Sequence, residues 1–443
     1  LAKETSNGGT AMNGADTTWM LLSTALVLLM TPALGFFYGG LVRSKNALNT
    51  MMMSVASLGF VGVAWVLLGY SLSFAPGTPG VGGLSWALLS GVGLDPGPAA
   101  ATIPHLLFAV YQGTFAIITA ALISGAIVER MRFGPYLAFI TLWSLLVYAP
   151  IAHWVWGGGF LSSLGALDFA GGTVVHVSAG VAALVAALVL GPRKDHARQA
   201  MLPHNVPFTL LGAGLLWFGW FGFNGGSALG ANRSAALAFV NSFLAPSATL
   251  VVWSLLDLAR SRKATAVGAA TGIVVGLVAI TPAAGLVSPL SALAIGAIAA
   301  LPSYFAIVWR ARTRLDDSLD VVGAHGLGGL VGALLTGVLA QVSWGSPSDG
   351  LLFGNPRQLL VQLLACLASI AWSGGVTFVL LKAIGAVRAL KATAGEEGIG
   401  LDFSQHGEEA YTSGEGALLL LRESAPAAPL VAPSPVLVRE VRS

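Results

Sequence analysis

Long apolar runs separated by short polar loops dominate the 443-residue chain. The runs are continuous and rich in Ala and Leu rather than alternating in ten-residue segments, which argues against membrane β-strands. A helix needs ~20 mostly apolar residues to cross the hydrocarbon core of a bilayer, and the pattern predicts eleven such spans. They cover residues 17–38, 47–72, 105–127, 136–152, 173–190, 210–223, 235–258, 266–280, 291–309, 322–341 and 359–387.

Charged side chains are too scarce for a soluble protein of this length. They make up 9% of the chain, against 55% hydrophobic residues, whereas soluble domains carry roughly 25%. The net charge of +3 comes from few charges without a long basic cluster, which argues against nucleic-acid binding. The single cysteine, Cys366, excludes an internal disulfide, and Cys-based metal sites need more cysteines. The composition predicts an all-α polytopic membrane protein without cofactor or metal.

The basic residues predict the orientation of the spans. With eleven spans and the N-terminus outside, nineteen of the 22 Lys and Arg residues fall on one side, and Lys3, Arg233 and Arg357 fall on the other. Lys and Arg favour the cytoplasmic side, so the prediction is N-out and C-in.

The ends of the chain differ from its middle. Residues 1–16 are predicted to be an extracytoplasmic segment left after removal of a signal peptide, the alternative being a chain end with no processed signal. Residues 17–390 form the predicted transmembrane domain and 391–422 an acidic cytoplasmic region. Residues 423–443, rich in Ala, Pro and Val, are predicted to be a disordered tail.

Two similar segments lie five spans apart. Asp168-Phe-Ala-Gly-Gly-Thr-Val-Val-His176 opens the fifth span, and Asp320-Val-Val-Gly-Ala-His325 opens the tenth. An odd offset makes the two copies enter the membrane from opposite faces, as in an inverted-topology repeat, whose site lies near the midplane between the repeats. We therefore predict an inverted five-helix repeat, spans 1–5 and 6–10, plus an eleventh helix. Chance similarity in so Gly- and Ala-rich a chain is the alternative.

Only two of the seven histidines, His176 and His325, lie inside predicted spans. Ionisable groups are rare in membranes and usually face a pathway, so the symmetric pair is predicted to line one. The alternative is two structural histidines, each bonded to a helix carbonyl. His105 and His153 lie at outer span ends, where water is expected to satisfy them.

Aromatic and polar residues gather on the predicted outer side. Trp156, in His-Trp-Val-Trp-Gly-Gly-Gly, suits either an interfacial belt or one face of a cation site. Phe115 and Phe223 lie in spans, where phenylalanine ordinarily packs, and Ser227 lies near a helix end, where serine ordinarily caps. Asp168 has no nearby Lys or Arg, so it either caps backbone amides or attracts cations.

These residues together resemble the ammonium transporter (Amt) family, in the Amt rather than the Rhesus branch of the Amt/Mep/Rh superfamily. The similarity runs in consistent order from about Thr17 to Tyr411. Its blocks are Thr-Phe115-Ala-Ile-Ile-Thr, His153-Trp-Val-Trp156-Gly-Gly-Gly, Asp168 to His176, Trp220-Phe-Gly-Phe223-Asn-Gly-Gly-Ser227, Asp317-Ser-Leu-Asp320 to His325, and Gly400-Leu-Asp-Phe-Ser-Gln-His406-Gly-Glu-Glu-Ala-Tyr411.

The resemblance implies a transporter, not an enzyme, which takes up ammonium nitrogen across the cell membrane through one pore per subunit of a homotrimer. Phe115, Trp156 and Ser227 would form an outer recruitment site that Asp168 organises. Phe115 would also stack on Phe223 as a gate.

Below the gate, the resemblance makes His176 and His325 the twin histidines of the pore. Ammonium has N–H donors and a removable proton, unlike potassium, and a narrow apolar pore is costly for any bare ion. We therefore expect ammonium to lose a proton near the gate, and ammonia to pass histidines that bond it or relay its proton. Two adjacent imidazoles are not readily both charged, so a mostly neutral pair sharing a hydrogen is expected.

Two departures from the family pattern and two rival functions remain. Ala120-Ala121 replaces a Pro-containing motif of many relatives, and the tail after Arg422 has no family counterpart. An ammonium sensor with little flux is one rival. An intramembrane hydrolase using Ser178 and His176 is the other, although i,i+2 spacing places the two on different helix faces. The family's usual partner, a PII-type signalling protein, would dock on the loops Arg193–Arg198 and Arg260–Lys263 and on Gly400–Tyr411.

Overall fold

A computed structural model describes residues 12–411 of the chain. The predicted tail 423–443 and most of the predicted segment 1–16 therefore lie outside the described residues. Within 12–411, ten helices are long and apolar enough to cross a membrane, and one shorter apolar helix, α8, joins them. In chain order they are α1 (Gly14–Leu41), α2 (Ser44–Phe74), α3 (His105–Ser124), α4 (Phe133–Leu164), α5 (Gly172–Leu190), α6 (Val206–Gly226), α7 (Arg233–Ser261), α8 (Ala266–Ile280), α9 (Pro289–Arg310), α10 (Val322–Leu339) and α11 (Pro356–Val387).

The helices begin where the sequence supplies a cap. The side chain of Asn205 accepts a hydrogen bond from the Phe208 amide before α6, and Asn232 does the same for Ala235 before α7. Such caps satisfy amides that have no partner inside the helix. Apart from α4, whose end at Leu164 lies twelve residues past the predicted run 136–152, each element lies within a few residues of its predicted run. Most are longer, because their ends continue into polar and Gly-rich residues.

The connection between α2 and α3 contains β-structure that the helical prediction missed. Strands β1 (Gly77–Thr78) and β2 (Val81–Gly82) form one antiparallel hairpin. Strands β3 (Pro96–Gly97) and β4 (Ala100–Pro104) form another. Gly and Pro punctuate this stretch and end helices, so the chain turns there instead of extending α2.

Helices α5 and α10 cross in direct backbone contact. A Cβ atom on Gly180 would overlap the backbone of Gly326, so only glycine allows this approach. Each helix begins with a π-helical segment, Gly172–Val177 in α5 and Val322–Leu327 in α10. The π-helical segments carry His176 and His325, and π-bulges are frequent at functional sites.

The C-terminal region folds onto one end of the helices. Two short helices follow α11, α12 (Ala394–Ile399) and α13 (Leu401–His406). The Asp402 carboxylate accepts hydrogen bonds from the amides of Leu48 (3.0 Å) and Asn49 (2.7 Å) at the start of α2. We call this the basic end, because Arg43, Arg130, Arg193 and Arg310 lie here in ion pairs. The opposite end is called the Trp156 end.

Candidate functional site

The two histidines inside the spans meet each other. Nδ1 of His176 lies 3.3 Å from Nδ1 of His325, and both side chains are buried. At this distance one Nδ1 donates a hydrogen and the other accepts it, so the two facing nitrogens cannot both carry a proton. Nε2 of His176 is buried and has no hydrogen-bond partner within the described residues. It therefore offers a free polar atom to a small molecule that passes.

Two stacked phenylalanines lie beside the histidines. The ring centroids of Phe115 and Phe223 are 4.1 Å apart at an angle of 27°, and both rings are buried. The ring of His176 stacks at 6.2 Å from Phe223. Because the phenylalanine rings are in van der Waals contact, a molecule passing between them has to displace a ring.

A narrow, apolar cavity is lined by Phe223 and by both histidines. Its volume is about 10 Å³, close to the smallest space that holds one water. The residues that line it are Met30, Leu34, Phe37, Ile118, Leu122, Val175, His176, Leu216, Trp220, Phe223, Val274 and His325. Apart from the imidazoles and the Trp220 indole, these are hydrocarbon, phenyl and one thioether group, so the space suits a neutral molecule better than a bare ion.

On the far side of the phenylalanines lie Trp156 and Ser227. The Trp156 ring stands edge-on to Phe115, with centroids 6.2 Å apart. The side chains of Trp156 and Ser227 are partly exposed. The Ser227 hydroxyl donates to the Phe223 carbonyl at 2.9 Å and lies 3.4 Å from the Tyr111 hydroxyl. Trp156 and Ser227, two of the predicted recruitment residues, thus lie next to the stacked pair at the Trp156 end.

Asp168 caps backbone amides, which is one of the two roles that the sequence left open. Its Oδ1 accepts hydrogen bonds from Gly171 and Gly172, and its Oδ2 from Thr173 and Val174, at 2.6–3.1 Å. The Trp156 indole donates to the backbone carbonyl of Asp168 at 2.8 Å. The carboxylate therefore holds the start of α5, and its own backbone positions Trp156.

The repeat alignment requires a correction. Asp317, not Asp320, is the counterpart of Asp168, because Asp317 accepts from the amides of Val321 (3.1 Å) and Val322 (2.8 Å) at the start of α10. Each capping aspartate precedes its histidine by eight residues. Asp320 is instead paired with Arg310 through Nε at 2.6 Å.

The expectation for His105 and His153 was also wrong. Both side chains are buried, and protein groups satisfy them instead of water. His105 Nε2 lies 2.5 Å from the Tyr70 hydroxyl, and the two ring nitrogens of His153 contact the carbonyls of Ser73 and Thr78. The ordered hairpins between α2 and α3 fold over these positions.

A larger cavity opens at the basic end and reaches the histidines from there. It has a volume of about 430 Å³, enough for many water molecules. The titratable side chains that line it are Tyr38, Arg193, His196, Arg310, Asp320 and His325. His325 lines both this cavity and the narrow one, so it separates a polar space from an apolar one.

Sequence reasoning gave no role to two residues of the site. Trp220 stacks on His176 with centroids 5.5 Å apart and donates to the Thr281 hydroxyl. Tyr111 packs edge-on against Phe115 and donates to the carbonyls of Gly222 and Phe223. Tyr111 lies one helical turn before Phe115, and this i,i+4 spacing was the available signal.

Across residues 12–411, no group of His, Cys, Asp and Glu has a metal-binding arrangement.

Comparison with known proteins gives a consistent result. Residues 18–411 match the model of the Ammonium Transporter Family. A Bacillus subtilis protein named ammonium transporter is 49% identical over 402 residues, covering 90% of this chain and 99% of the relative. Ammonium transporter Amt1 of Archaeoglobus fulgidus is 45% identical over 403 residues, covering 90% of this chain and 100% of the relative.

Solved structures share the fold. The crystal structure of Saccharomyces cerevisiae Mep2 superposes with a TM-score of 0.81 at 36% identity, covering 87% of this chain and 88% of that one. A structure titled Sensor Amt Protein superposes with a TM-score of 0.82 at 29% identity, covering 88% of this chain and 98% of that one.

Proposed function

The chain belongs to the ammonium transporter family and carries ammonium across the membrane, and we propose that its substrate follows the path from Trp156 past the stacked phenylalanines to the histidine pair. The observation that carries this proposal is the 3.3 Å contact between His176 and His325 at the end of a narrow apolar cavity. An apolar space of this size with two imidazoles at one end suits ammonia, which is neutral and both donates and accepts hydrogen bonds.

Selection takes place before the gate. The face of Trp156 attracts a small cation, and the Ser227 hydroxyl oxygen accepts an N–H hydrogen bond. Potassium has no N–H to donate, so the hydroxyl favours ammonium. Ammonium loses a proton near Phe115 and Phe223, because the bare ion is costly in the cavity beyond them.

The histidine pair then receives ammonia. One nitrogen of the facing pair is unprotonated, so the pair can take up a proton on one side and release one on the other. The unpartnered Nε2 of His176 faces the substrate, and His325 faces the large cavity of the basic end. If a proton crosses along with each ammonia, net transport moves positive charge. If ammonia crosses alone, net transport moves no charge.

The orientation predicted from the loops is part of the proposal. Eleven spans with the N-terminus outside make the basic end cytoplasmic, in keeping with the concentration of Arg and Lys there. The matching π-helical starts of α5 and α10, whose histidines each lie eight residues after a capping aspartate, support the inverted repeat. Labelling of single cysteines in the loops from either side of the membrane measures this orientation.

The assembly state and the partner rest on family membership. We propose a homotrimer in the membrane lipid, whose subunit number light scattering on solubilised protein would measure. A PII-type protein would dock on the proposed cytoplasmic face, where Lys194 and the C-terminal region meet through the bond from the Lys194 amide to the Glu397 carboxylate. A pull-down with a purified PII-type protein tests that contact.

The proposal is tested by replacing both histidines. His176→Ala with His325→Ala removes every imidazole from the pore, and the saturable ammonium-evoked current of reconstituted protein on a supported membrane should fall to background. Circular dichroism and gel filtration of the double variant check that it folds. Wild-type current from a folded double variant would refute the proposed path.

The sensor alternative is tested on the wild-type protein. Ammonium binding without current would favour it, and the structural neighbour titled Sensor Amt Protein is the reason to make this measurement.

A further inference from the structure

An apolar groove at the basic end is formed by α5, α9, α10 and α11. Its volume is about 260 Å³. Its walls are mostly aliphatic and include Leu184 of α5, Ile307 of α9, Leu330 of α10 and Ile370 of α11. Along α10 the lining runs from Val322 to Leu330, a distance of ~12 Å at about 1.5 Å per residue. Half of the hydrocarbon core of a bilayer is ~15 Å thick. The groove therefore extends through most of the leaflet at the basic end.

One end of the groove carries the kind of side chains that lie at lipid headgroups. Trp309 lines the groove and is 69% exposed, and Trp is enriched at membrane interfaces. Arg310 and Asp320 pair with each other at 2.6 Å and line both this groove and the large cavity. Asp317, the remaining charged residue of the lining within residues 12–411, accepts the amides at the start of α10. The charges of the lining are thus already compensated.

Two arginines beside this end have no acidic partner. Arg312 lies in the turn after α9, where its amide donates to the Trp309 carbonyl, and Arg314 directly precedes Leu315, which lines the groove. Both arginine side chains are exposed, and neither forms an ion pair within the described residues. Guanidinium groups bind phosphate with two parallel hydrogen bonds. An anion-binding turn therefore adjoins the apolar groove.

The chemistry of the groove favours a hydrocarbon chain over water. A cavity water needs two to four polar partners, and aliphatic walls supply few. A lipid chain gains little by leaving other lipid chains for a protein surface, because the two are equally apolar. Preference for a particular lipid must therefore come from its headgroup. A basic residue near an anionic lipid surface strengthens binding about fivefold, and Arg312 and Arg314 are both available for this.

We propose that the groove binds an anionic phospholipid of the leaflet at the basic end, with one acyl chain between the four helices and its phosphate on Arg312 and Arg314. The lining includes Gly180 and Gly326, where α5 and α10 touch. The bound chain packs against this helix crossing. A ligand that binds only the folded state raises its stability, so the lipid stabilises the protein. The site is separate from the substrate path and does not depend on it.

Photocrosslinking in vesicles tests where the chain lies. The full-length protein is reconstituted in phosphatidylcholine vesicles with a small fraction of phosphatidylglycerol that carries a diazirine in one acyl chain. Mass spectrometry should find adducts on Leu184, Leu327 and Leu330. Leu184→Trp fills the groove, so the adducts on Leu327 and Leu330 should be lost. Leu188→Trp is the matched control, because Leu188 lies one turn further along α5, is 64% exposed and is not part of the lining. Its adducts should match those of the wild type.

Headgroup variants test the preference for negative charge. Arg312→Gln with Arg314→Gln should lower labelling by the phosphatidylglycerol probe, relative to a phosphatidylcholine probe, by about 10- to 30-fold. Arg262→Gln with Lys263→Gln removes two exposed charges that do not adjoin the groove and should leave the ratio unchanged. The unfolding temperature of the wild type should rise when phosphatidylglycerol replaces phosphatidylcholine. That rise should be lost in the first pair and retained in the second.

Two other occupants of the groove would be recognised by the same measurements. Equal labelling of the wild type by both probes, or adducts spread evenly over the exposed faces of α9 and α11, would indicate ordinary boundary lipid and overturn the proposal. A photoreactive amino acid in place of Leu184 that joins two copies of the chain would assign the groove to a subunit contact and also overturn it. Gel filtration checks folding, and Ile370→Trp fills the groove from α11 if Leu184→Trp does not fold.

Discussion

Asp168 shows at the scale of one residue how a buried carboxylate caps the start of a helix beside the proposed site. Its two oxygens accept four backbone amides, which compensates for placing an acid in a region with no basic partner. An Asn at this position keeps one acceptor oxygen and turns an amino group toward two of the amides. Each buried donor left without a partner costs ~1–3 kcal/mol.

Asp168→Asn should therefore lower the free energy of unfolding by about 2–6 kcal/mol, since two amides lose their acceptor. It should also reduce ammonium current, because the Trp156 indole is bonded to the backbone of this residue. Thermal unfolding in detergent and current after reconstitution measure the two effects. Asp317→Asn is the matched control, and it should cost less, since Asp317 caps only Val321 and Val322. An equal loss in the two variants would contradict the capping account.

Sequence reasoning reached the residues of the site but not all of their relationships. His176 and His325 could be singled out because ionisable residues are rare in spans. The pairing of Asp168 with Asp317 was missed because Asp320 is nearer to His325, although the equal spacing of eight residues from Asp168 to His176 and from Asp317 to His325 was a signal for it. Only backbone hydrogen bonds show which carboxylate caps. Tyr111 and Trp220 were missed for a related reason, since an aromatic residue in a span is ordinarily a packing residue.

At the scale of elements, the contact between α5 and α10 sets the distance between the histidines. The helices touch at Gly180 and Gly326, and His176 and His325 lie within one turn of these glycines. Overpacking a close contact typically costs ~1–3 kcal/mol. Moving the helices apart also lengthens the 3.3 Å contact between the imidazoles.

Gly180→Ala should destabilise the protein by about 1–3 kcal/mol and reduce ammonium current, because the added methyl group meets the backbone of Gly326. The control is Gly59→Ala in α2, where an added Cβ meets no atom within 4 Å. That variant should be as stable as the wild type or slightly more so, since alanine favours helix. Thermal unfolding and current of the two variants make the comparison, and a harmless Gly180→Ala would show that the close contact does not position the histidines.

The boundaries of helices were predictable where they depend only on residues close to them in the sequence. The length of each apolar run predicts where a span lies, and capping residues such as Asn205 and Asn232 mark where helices begin. The π-helical starts of α5 and α10 were not predictable, because no propensity distinguishes them from ordinary helix. The hairpins between α2 and α3 were not predictable either. Their strands are too short to show the alternation of apolar and polar residues that indicates a β-strand.

At the scale of the whole molecule, a buried ionic network ties the loops of the basic end together. Arg193 pairs with Glu129 from the loop after α3 and with Asp316 from the loop before α10. Glu129 also binds Arg43 at the end of α1, at 3.0 Å. The carboxylates of Glu129 and Asp316 are completely buried. The network thus joins loops that are distant in sequence, and two of them, the loop between α5 and α6 and the loop before α10, line the large cavity.

This network predicts how stability depends on pH. Burial alone would raise the pKa of Asp316, but hydrogen bonds and charge from Arg193 and Arg130 lower it to about 2. Arg193 likewise lowers the pKa of Glu129 against the effect of burial. A carboxyl group with a depressed folded-state pKa stabilises the protein above its unfolded value of ~4. That contribution disappears as the pH falls through the folded value. The unfolding temperature should therefore drop between about pH 4 and pH 2.

Arg193→Gln tests whether the network is the cause. Removing one partner leaves buried carboxylates uncompensated, which typically costs ~3–5 kcal/mol, so the variant should be less stable at neutral pH. It should also lose less stability on acidification, because the pKa values of Glu129 and Asp316 are then less depressed. Arg132→Gln breaks the partly exposed pair with Glu396 and should cost only ~0–1 kcal/mol. Unfolding temperatures from pH 2 to pH 8 would compare the three proteins, and parallel curves for the wild type and Arg193→Gln would show that acid sensitivity arises elsewhere.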